Sequence, residues 1–190
     1  MPDARELLIV SRPSAEEATD SFVDDLLALY AAVQATVAGT DNDPLWVIGD
    51  HPRAAQLHEA AAAGTLFTAT VEGRLAGALI ADGNPAPGYE TVPWQVEAAP
   101  EEAAVMHLFA LHPDFRGQGL ARPFVEAVAE VLRTEGVRAL RLDTLVDNLG
   151  AQRTYEALGF TNLGRANLNY GPGPYANNPA GGFVVFEKEL

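Results

Sequence analysis

The segment from Val105 to Ala121 constrains the fold of this chain more than any other. Its sequence, VMHLFALHPDFRGQGLA, predicts a strand, a short proline-containing turn and a glycine-rich loop that opens a helix. Gly117 and Gly119 permit a tight turn and a close approach of the backbone to a ligand. Unpaired N–H groups at a helix start attract anions, and the helix dipole adds to that attraction. Residues 116–121 are therefore predicted to bind a phosphate group, the alternative being a plain turn before a helix.

Two common phosphate-binding motifs do not fit this loop. A Walker A loop ends in Gly-Lys-Ser or Gly-Lys-Thr, and that sequence is missing here. A dinucleotide fingerprint needs a small residue three positions after Gly119, where this chain has Arg122. The remaining pattern is Arg-x-x-Gly-x-Ala, with Arg116 and Arg122 adding positive charge on either side.

Composition limits the kind of protein that this chain forms. Its 190 residues suit one domain over residues 1–190, and the absence of cysteine excludes disulfides and thiolate metal sites. The formal net charge of −14 argues against nucleic acid as a partner and mildly favours a cationic substrate. No apolar run approaches the ~18 residues of a membrane span, so no membrane partner is expected. The N-terminus has no signal-peptide pattern, which favours a cytoplasmic location.

Hydrophobic periodicity and turn residues predict a mixed α/β domain. The predicted helices cover residues 15–37, 52–63, 120–135 and 148–158, and the first of them follows a capping-box pattern at Ser14 and Glu17. The predicted strands cover residues 6–12, 66–71, 75–81, 105–111, 138–146, 161–169 and 183–189. This order predicts a sheet that is neither all parallel nor all antiparallel.

Two long segments and two histidines complete the predicted layout. Residues 82–102 and 170–182 are rich in glycine and proline, and the first segment reads as a lid, or equally as a disordered insertion, with a short extended piece at 94–96.

His51 and His58 lie seven positions apart on the second predicted helix. Because no acidic residues are spaced to join them, both are expected to be exposed, and no metal site is predicted.

A second motif follows the predicted strand at residues 138–146. It reads Asn148-x-x-Ala151-x-x-x-Tyr155-Glu156-x-Leu158-Gly159-Phe160. Together with the glycine loop and the preceding Leu111-His112-Pro113-Asp114-Phe115, it closely resembles the GNAT superfamily of N-acetyltransferases from about residue 105 to 160. The resemblance implies a GNAT fold, with a central mixed sheet of six to seven strands flanked by about four helices.

The resemblance also implies acetyl-CoA as the co-substrate. Its pyrophosphate would lie on the backbone N–H groups of the six loop residues Arg116, Gly117, Gln118, Gly119, Leu120 and Ala121. In the family a bulge splays the strand before this loop, which would place Phe109, Ala110 and Leu111 beside the pantetheine arm. Asn148 would reach the same arm, a role compatible with capping the helix that follows it.

The resemblance implies which residue is the general acid of the reaction. It leaves the identity of the general base open. Tyr155 matches the family's general-acid tyrosine, and its alternative is a core position on an apolar helix face. Many relatives carry a glutamate on the strand before the loop, but the equivalent position here is Val105. His107, which shares strand parity with Phe109, and Glu102 rank first as the base. His107 could equally be a packed strand residue, and Glu97, Glu101 and Asp143 are further candidates.

The resemblance therefore implies an N-acetyltransferase that works by direct attack in a ternary complex. The acceptor would be a primary amine, either a small molecule or a peptide N-terminus. The alternative is a catalytically silent acetyl-CoA-binding sensor, which the missing strand glutamate favours and the intact Tyr155 opposes. Dimers are frequent in the family, and the sequence does not decide between a monomer and a homodimer.

Overall fold

The computed structural model of this chain describes residues 3–171, 175 and 182–190. In that part of the chain one sheet contains the strands β1 (Leu8–Ser11), β2 (Leu66–Val71), β3 (Arg74–Asp82), β4 (Ala103–Leu111), β5 (Ala139–Leu145), β6 (Thr161–Ala166) and β7 (Phe183–Glu189). Their order across the sheet is β1-β2-β3-β4-β5-β7-β6. Neighbours are antiparallel except β4 and β5, which run parallel.

Helices cover both faces of this sheet. They are α1 (Asp20–Val37), α2 (Ala54–Ala62), α3 (Ala121–Thr134) and α4 (Leu149–Ala157). Ile80 of β3 packs into the core layer that α1 and α2 form, whereas its neighbour Leu79 packs into the layer of α3. This alternation is the one a strand buried on both faces requires. The predicted mixed sheet with about four helices is therefore confirmed.

Every predicted helix and strand occurs in the structure, with ends that differ from the prediction by five residues or fewer. The capping box of Ser14 and Glu17 forms, through N–H bonds of 2.8 and 3.3 Å, but it closes only an isolated turn. α1 begins at Asp20 instead, where the Thr19 hydroxyl accepts a bond of 3.3 Å from Phe22 N–H. α2 begins at residue 54 rather than 52, and β6 ends at residue 166 rather than 169.

A bulge in β4 separates it from β5. Leu108 adopts a left-handed backbone conformation, with φ of 53°, and the β3–β4 register shifts at this point. The buried Tyr30 of α1 donates a hydrogen bond of 3.0 Å to the Leu108 carbonyl and so holds the bulge in place. β4 pairs with β5 only from Ala103 to Val105. Beyond Val105 the two strands diverge and open a cleft in the middle of the sheet.

The segment between β3 and β4 packs against the sheet. It contains short 3-10 helices at Tyr89–Thr91 and Pro100–Glu102, and no strand forms at 94–96. The backbone N–H groups of Gln95 and Val96 donate to the carboxylate of Glu187, at 2.7 and 3.0 Å. Glu187 is buried and also pairs with Arg141 at 3.1 Å. Its charge is thus stabilised by one cation and two backbone donors. Most of the other predicted loop, 170–182, lies outside the described residues.

Candidate active site

A cavity of about 770 Å³ occupies the cleft between β4 and β5. Its walls come from both strands, the glycine loop, α4 and the segment that joins α1 to α2. A cavity of this volume, lined by apolar and polar side chains together, is typical of small-molecule sites. Most of the residues predicted from the sequence to bind the cofactor lie in its wall.

The glycine loop forms one end of the cavity. Gly117 and Gly119 have φ of 74° and 73°, in the region where glycine is favoured. Within the described chain, no backbone N–H from residue 117 to 121 donates a hydrogen bond, and no side chain caps the start of α3. Five donors thus point to no protein acceptor, which fits an anionic ligand at this helix start.

The two arginines beside the loop differ in their contacts. Arg116 is exposed, lines the cavity and has no ion-pair partner among the described residues. Arg122 instead hydrogen-bonds to the carbonyl of Ala157 at the end of α4. Gln118 does not line the cavity, because its side chain donates to the Asp114 carbonyl at 2.9 Å. Of the two flanking arginines, Arg116 alone lines the cavity.

The predicted contacts to a pantetheine arm lie along the cleft. Phe109, Ala110 and Leu111 line the cavity on the stretch of β4 that has diverged from β5. On the opposite wall, the buried Asn148 caps α4, its side-chain oxygen accepting a bond of 3.2 Å from Ala151 N–H. The capping role expected for Asn148 is present, and its side-chain NH₂ donates to no described residue.

Tyr155 projects from α4 into the wall of the cavity. Its ring packs against Phe160 and Phe186, with centroids 6.0 and 5.6 Å away. Its hydroxyl makes no hydrogen bond within the described residues. Burial, with the nearby negative charge of Asp143, raises the pKa of Tyr155, so the phenol keeps its proton at neutral pH. Tyr155 is thus both a packing residue and a protonated group that faces the cavity.

Asp143 of β5 lines the cavity and is held by two phenols. Oδ1 accepts hydrogen bonds from the hydroxyls of Tyr89 and Tyr170, at 2.7 and 2.6 Å. Burial raises the pKa of Asp143, and the two hydrogen bonds oppose that rise only in part. A carboxylate with a raised pKa accepts a proton more readily than an exposed one. This property makes Asp143 suited to acid–base chemistry.

His107 also lines the cavity, although the parity argument for it was wrong. It lies opposite Ile80, on the face of α1 and α2, whereas Phe109 packs toward α3. The bulge at Leu108 inverts the alternation between the two. His107 Nε2 is 3.3 Å from Oδ1 of Asp82. Although burial acts to raise the pKa of Asp82, hydrogen bonds from His107 and Asn84 hold it below its usual value.

The acidic residues before β4 do not line the cavity. Glu102 accepts a bond of 2.9 Å from Ala99 N–H, in a capping arrangement at its own 3-10 helix. It also lies 3.7 Å from Arg138, at the end of β4 away from the bulge. Glu97 and Glu101 are likewise outside the cavity wall. The structure thus brings Tyr155, His107 and Asp143 together and leaves these three glutamates apart.

His51 is a cavity residue that sequence reasoning missed. It precedes α2 rather than lying on it, and it forms an isolated bridge with Val47. Burial lowers the pKa of His51, and the nearby His107 lowers it further, so the His51 imidazole is neutral at pH 7. The expectation of an exposed helix histidine was wrong for His51, whereas His58 is partly exposed and pairs with Asp20. No sequence signal distinguished the two.

The described residues contain neither a metal-binding cluster nor a membrane-spanning helix. No group of three or more histidine, cysteine, aspartate or glutamate side chains in that part of the chain is arranged to hold a metal ion. None of its helices combines the length and apolar character needed to cross a membrane.

The fold and the site define an α/β domain with a glycine-rich loop beside a split sheet. A family model described as Acetyltransferase (GNAT) family matches residues 31–160. This match covers more than half of the chain, which therefore belongs to the GNAT family, as the motifs had indicated.

Curated relatives share part of this chain. N-alpha-acetyltransferase 30 of Schizosaccharomyces pombe is 36% identical over 63 residues, covering 33% of this chain and 42% of the relative. The ribosomal protein bS18-alanine N-acetyltransferase of Escherichia coli is 36% identical over 72 residues, covering 38% of this chain and 47% of the relative. The chain thus spans less than half the length of the relatives that it matches.

Solved structures share the whole fold. A GNAT acetyltransferase of Streptococcus agalactiae superposes with a TM-score of 0.74 at 19% identity, covering 96% of this chain and 95% of the other. The yncA protein of Salmonella typhimurium, whose structure contains its cofactor acetyl-CoA, superposes with a TM-score of 0.59 at 14% identity, covering 97% and 94%. At these identities the likeness establishes the fold alone.

Proposed function

We propose that this protein is an N-acetyltransferase that moves the acetyl group of acetyl-CoA to a primary amine, either a small molecule or a peptide N-terminus. The observation that carries this proposal is the joint presence of Asp143 and Tyr155 in one cavity that ends at the glycine loop. The curated relatives are named as N-acetyltransferases, which supports the same activity.

The residues of the cavity fit the donor. Five unpaired N–H groups at residues 117–121 suit its pyrophosphate, with the positive charge of Arg116 beside them. The diverging edge of β4 at residues 109–111 offers backbone groups to its amide arm, and the Asn148 side chain faces the same space. Acetyl-CoA, when bound, supplies an acetyl thioester with a thiolate leaving group.

Asp143 is proposed as the base. An alkylammonium group has a pKa near 10.4, so the acceptor arrives protonated and has to lose one proton before it attacks. Oδ1 of Asp143 is occupied by the Tyr89 and Tyr170 hydroxyls, which leaves Oδ2 to take that proton directly or through His107. We favour Asp143 over Glu102, because Glu102 is bonded at its own capping turn.

Tyr155 is proposed as the acid. Its raised pKa keeps the phenol protonated, and its hydroxyl is available to give that proton to the departing sulfur. The nitrogen loses two protons in all: one passes to Asp143 before the attack, and the second, released as the amide forms, replaces the proton that Tyr155 gives to sulfur. One amine C–N bond forms, one C–S bond breaks, and one net proton is released to water. Placing both reactants in one cleft supplies a large part of the acceleration.

The test is thiol release from acetyl-CoA with a panel of primary amines, comparing the wild-type protein with Tyr155→Phe. The phenylalanine keeps the ring packing on Phe160 and Phe186, so folding is preserved. We expect turnover to fall by about 10²-fold or more while affinity for CoA changes little. Tight CoA binding by the wild-type protein, without turnover on any amine, would favour the silent sensor instead.

A further inference from the structure

Aromatic rings form part of the wall of the cavity. This aromatic wall consists of Trp46, His51, Tyr170, Tyr175 and Phe183. Trp46 comes from the segment between α1 and α2, Tyr170 and Tyr175 from the connection after β6, and Phe183 from the start of β7. None of the sequence motifs includes any of these residues.

The rings of the aromatic wall touch one another in an unbroken series. Trp46 hydrogen-bonds to the Tyr175 hydroxyl, and the Tyr175 ring lies 5.5 Å from His51 and 5.3 Å from Tyr170. The Tyr170 ring lies 5.0 Å from Phe183. These are favourable aromatic contact distances, so the wall is a preformed surface.

A single carboxylate stands at the end of this wall. The Tyr170 hydroxyl donates to Asp143 at 2.6 Å, which joins the acid directly to the last pair of rings. His51 is neutral because burial lowers its pKa. Among the described residues that line the cavity, Arg116 is the one with a permanent positive charge, and it belongs to the glycine loop.

These features select the charge of an acceptor. Aromatic faces and a carboxylate attract an ammonium group, whereas an acceptor carboxylate would meet the charge of Asp143. Arg116, the one permanent cation among the described lining residues, is already assigned to the pyrophosphate. The wall also offers a broad apolar surface to the rest of the acceptor. A cavity of about 770 Å³ that also receives the donor arm has space for one small body.

We propose that the acceptor is a small primary amine whose ammonium group is carried by an aromatic body without a carboxylate, held between the aromatic wall and Asp143. The inference rests on the proposed acetyl transfer and specifies its substrate class.

The first test compares three amines that differ in one feature at a time. Phenylethylamine has the predicted features, phenylalanine adds a carboxylate, and propylamine removes the ring. We expect kcat/KM for phenylethylamine to exceed each of the other two by about tenfold or more, since a filled apolar pocket and an unpaired buried charge each have effects of that size. A higher value for phenylalanine, for propylamine or for a short peptide with a free N-terminus would overturn the inference.

The second test alters the wall. Trp46→Leu is expected to lower the ratio of phenylethylamine to propylamine activity by about tenfold, because it removes ring surface while leaving Asp143 and Tyr155 in place. Ile9→Ala is the control, since Ile9 is 63% exposed on the edge strand β1, outside the cavity wall. An unchanged ratio in Trp46→Leu would contradict a role of the wall in selection.

Equilibrium binding separates this inference from the proposed function. Calorimetry of the wild-type protein with CoA present is expected to show tighter binding of phenylethylamine than of phenylalanine and propylamine, whether or not turnover occurs. If the amines bind in that order but none is acetylated, the proposed transferase activity is contradicted, whereas the inferred ligand class is supported. If an amine is acetylated but the affinities do not follow that order, the transferase activity is supported and the inferred substrate class is overturned.

Discussion

Asp143 depends on neighbours that are distant in sequence. Tyr89 comes from the segment before β4 and Tyr170 from the chain after β6, yet both hydroxyls bond to one oxygen of the same carboxylate. Burial still raises the pKa of Asp143. Because this pKa is higher in the folded state than in the unfolded chain, the ionised carboxylate lowers the stability of the fold at neutral pH.

Asp143→Asn is expected to separate activity from stability. The amide oxygen can still accept both phenol bonds, so thermal unfolding at pH 7 should occur at a temperature no lower than in the wild-type protein. Turnover should fall by about 10² to 10⁴-fold, because a proton acceptor is lost. In the wild-type protein, kcat/KM should fall as pH drops through the raised pKa of Asp143, and the variant should lack this acid limb.

Asp82→Asn is the matched control for stability. The pKa of Asp82 is lowered, since hydrogen bonds from His107 and Asn84 outweigh its burial, so its charge stabilises the fold above pH 4 and that contribution is lost as pH falls. This variant should unfold at a lower temperature than the wild type at pH 7. Loss of stability in Asp143→Asn equal to that in Asp82→Asn would mean that Asp143 is a structural residue.

At the scale of elements, the glycine loop and the bulged strand form the two ends of one channel. The loop leaves its N–H groups unpaired because Gly117 and Gly119 turn the chain sharply before α3 begins. The bulge at Leu108, held by Tyr30, ends the β4–β5 ladder and opens the sheet. The proposed donor site needs both features, since both contribute residues to the wall of one cavity.

Gly119→Glu tests the loop. A carboxylate at this position would repel a pyrophosphate, and we expect CoA affinity to fall by about 100-fold or more in a binding titration. Gly73→Glu is the control, since Gly73 has a similar φ of 76° in the β2–β3 hairpin, away from the cavity. The two variants should unfold at similar temperatures. Equal CoA affinity in both would show that the loop does not bind the pyrophosphate.

The segment between β3 and β4 is attached to the sheet through Glu187. Its buried carboxylate accepts bonds from Gln95 and Val96 and pairs with Arg141, whose guanidinium also lies 4.4 Å from the Trp94 ring. Glu187→Gln removes the charge and leaves Arg141 without its anion. We expect a loss of about 3 kcal/mol in unfolding free energy.

Hydrogen exchange at residues 89–96 measures the local effect of that change. Faster exchange there than in the β2–β3 hairpin is expected for Glu187→Gln, because two of the segment's backbone donors lose a charged acceptor. Lys188→Gln is the control, as Lys188 is the next residue and pairs with Glu126 on the surface. If residues 89–96 and the β2–β3 hairpin exchanged at equal rates in both variants, the segment would not be held to the sheet through Glu187.

At the scale of the whole molecule, the net charge of −14 acts oppositely on the two proposed substrates. An overall negative field attracts a cationic amine and repels anionic acetyl-CoA, and added salt screens both effects. Raising the ionic strength from about 0.02 to 0.5 M should therefore lower kcat/KM for the amine and raise kcat/KM for acetyl-CoA. A fall in both, measured by thiol release, would contradict a field effect.

Local patterns were sufficient for the order of elements and for the donor end of the site. Strand and helix periodicity depend on neighbours two to four positions apart, and the glycine loop is a contiguous motif. Residues 109–111, Asn148 and Tyr155 were assigned to one site through the resemblance to the GNAT superfamily, and in the structure they line one cavity.

Tertiary structure alone decided the acceptor end. Because of the bulge at Leu108, His107 lies on the opposite face of β4 from Phe109. Glu102 caps its own 3-10 helix and lies outside the cavity wall. His51 lines the cavity from an isolated bridge before α2. Asp143 gained its raised pKa from burial and its position from two tyrosines far away in sequence. The physical reason is that the orientation, burial and proton affinity of a side chain depend on contacts across the sheet. The pattern of residues along the chain does not encode those contacts.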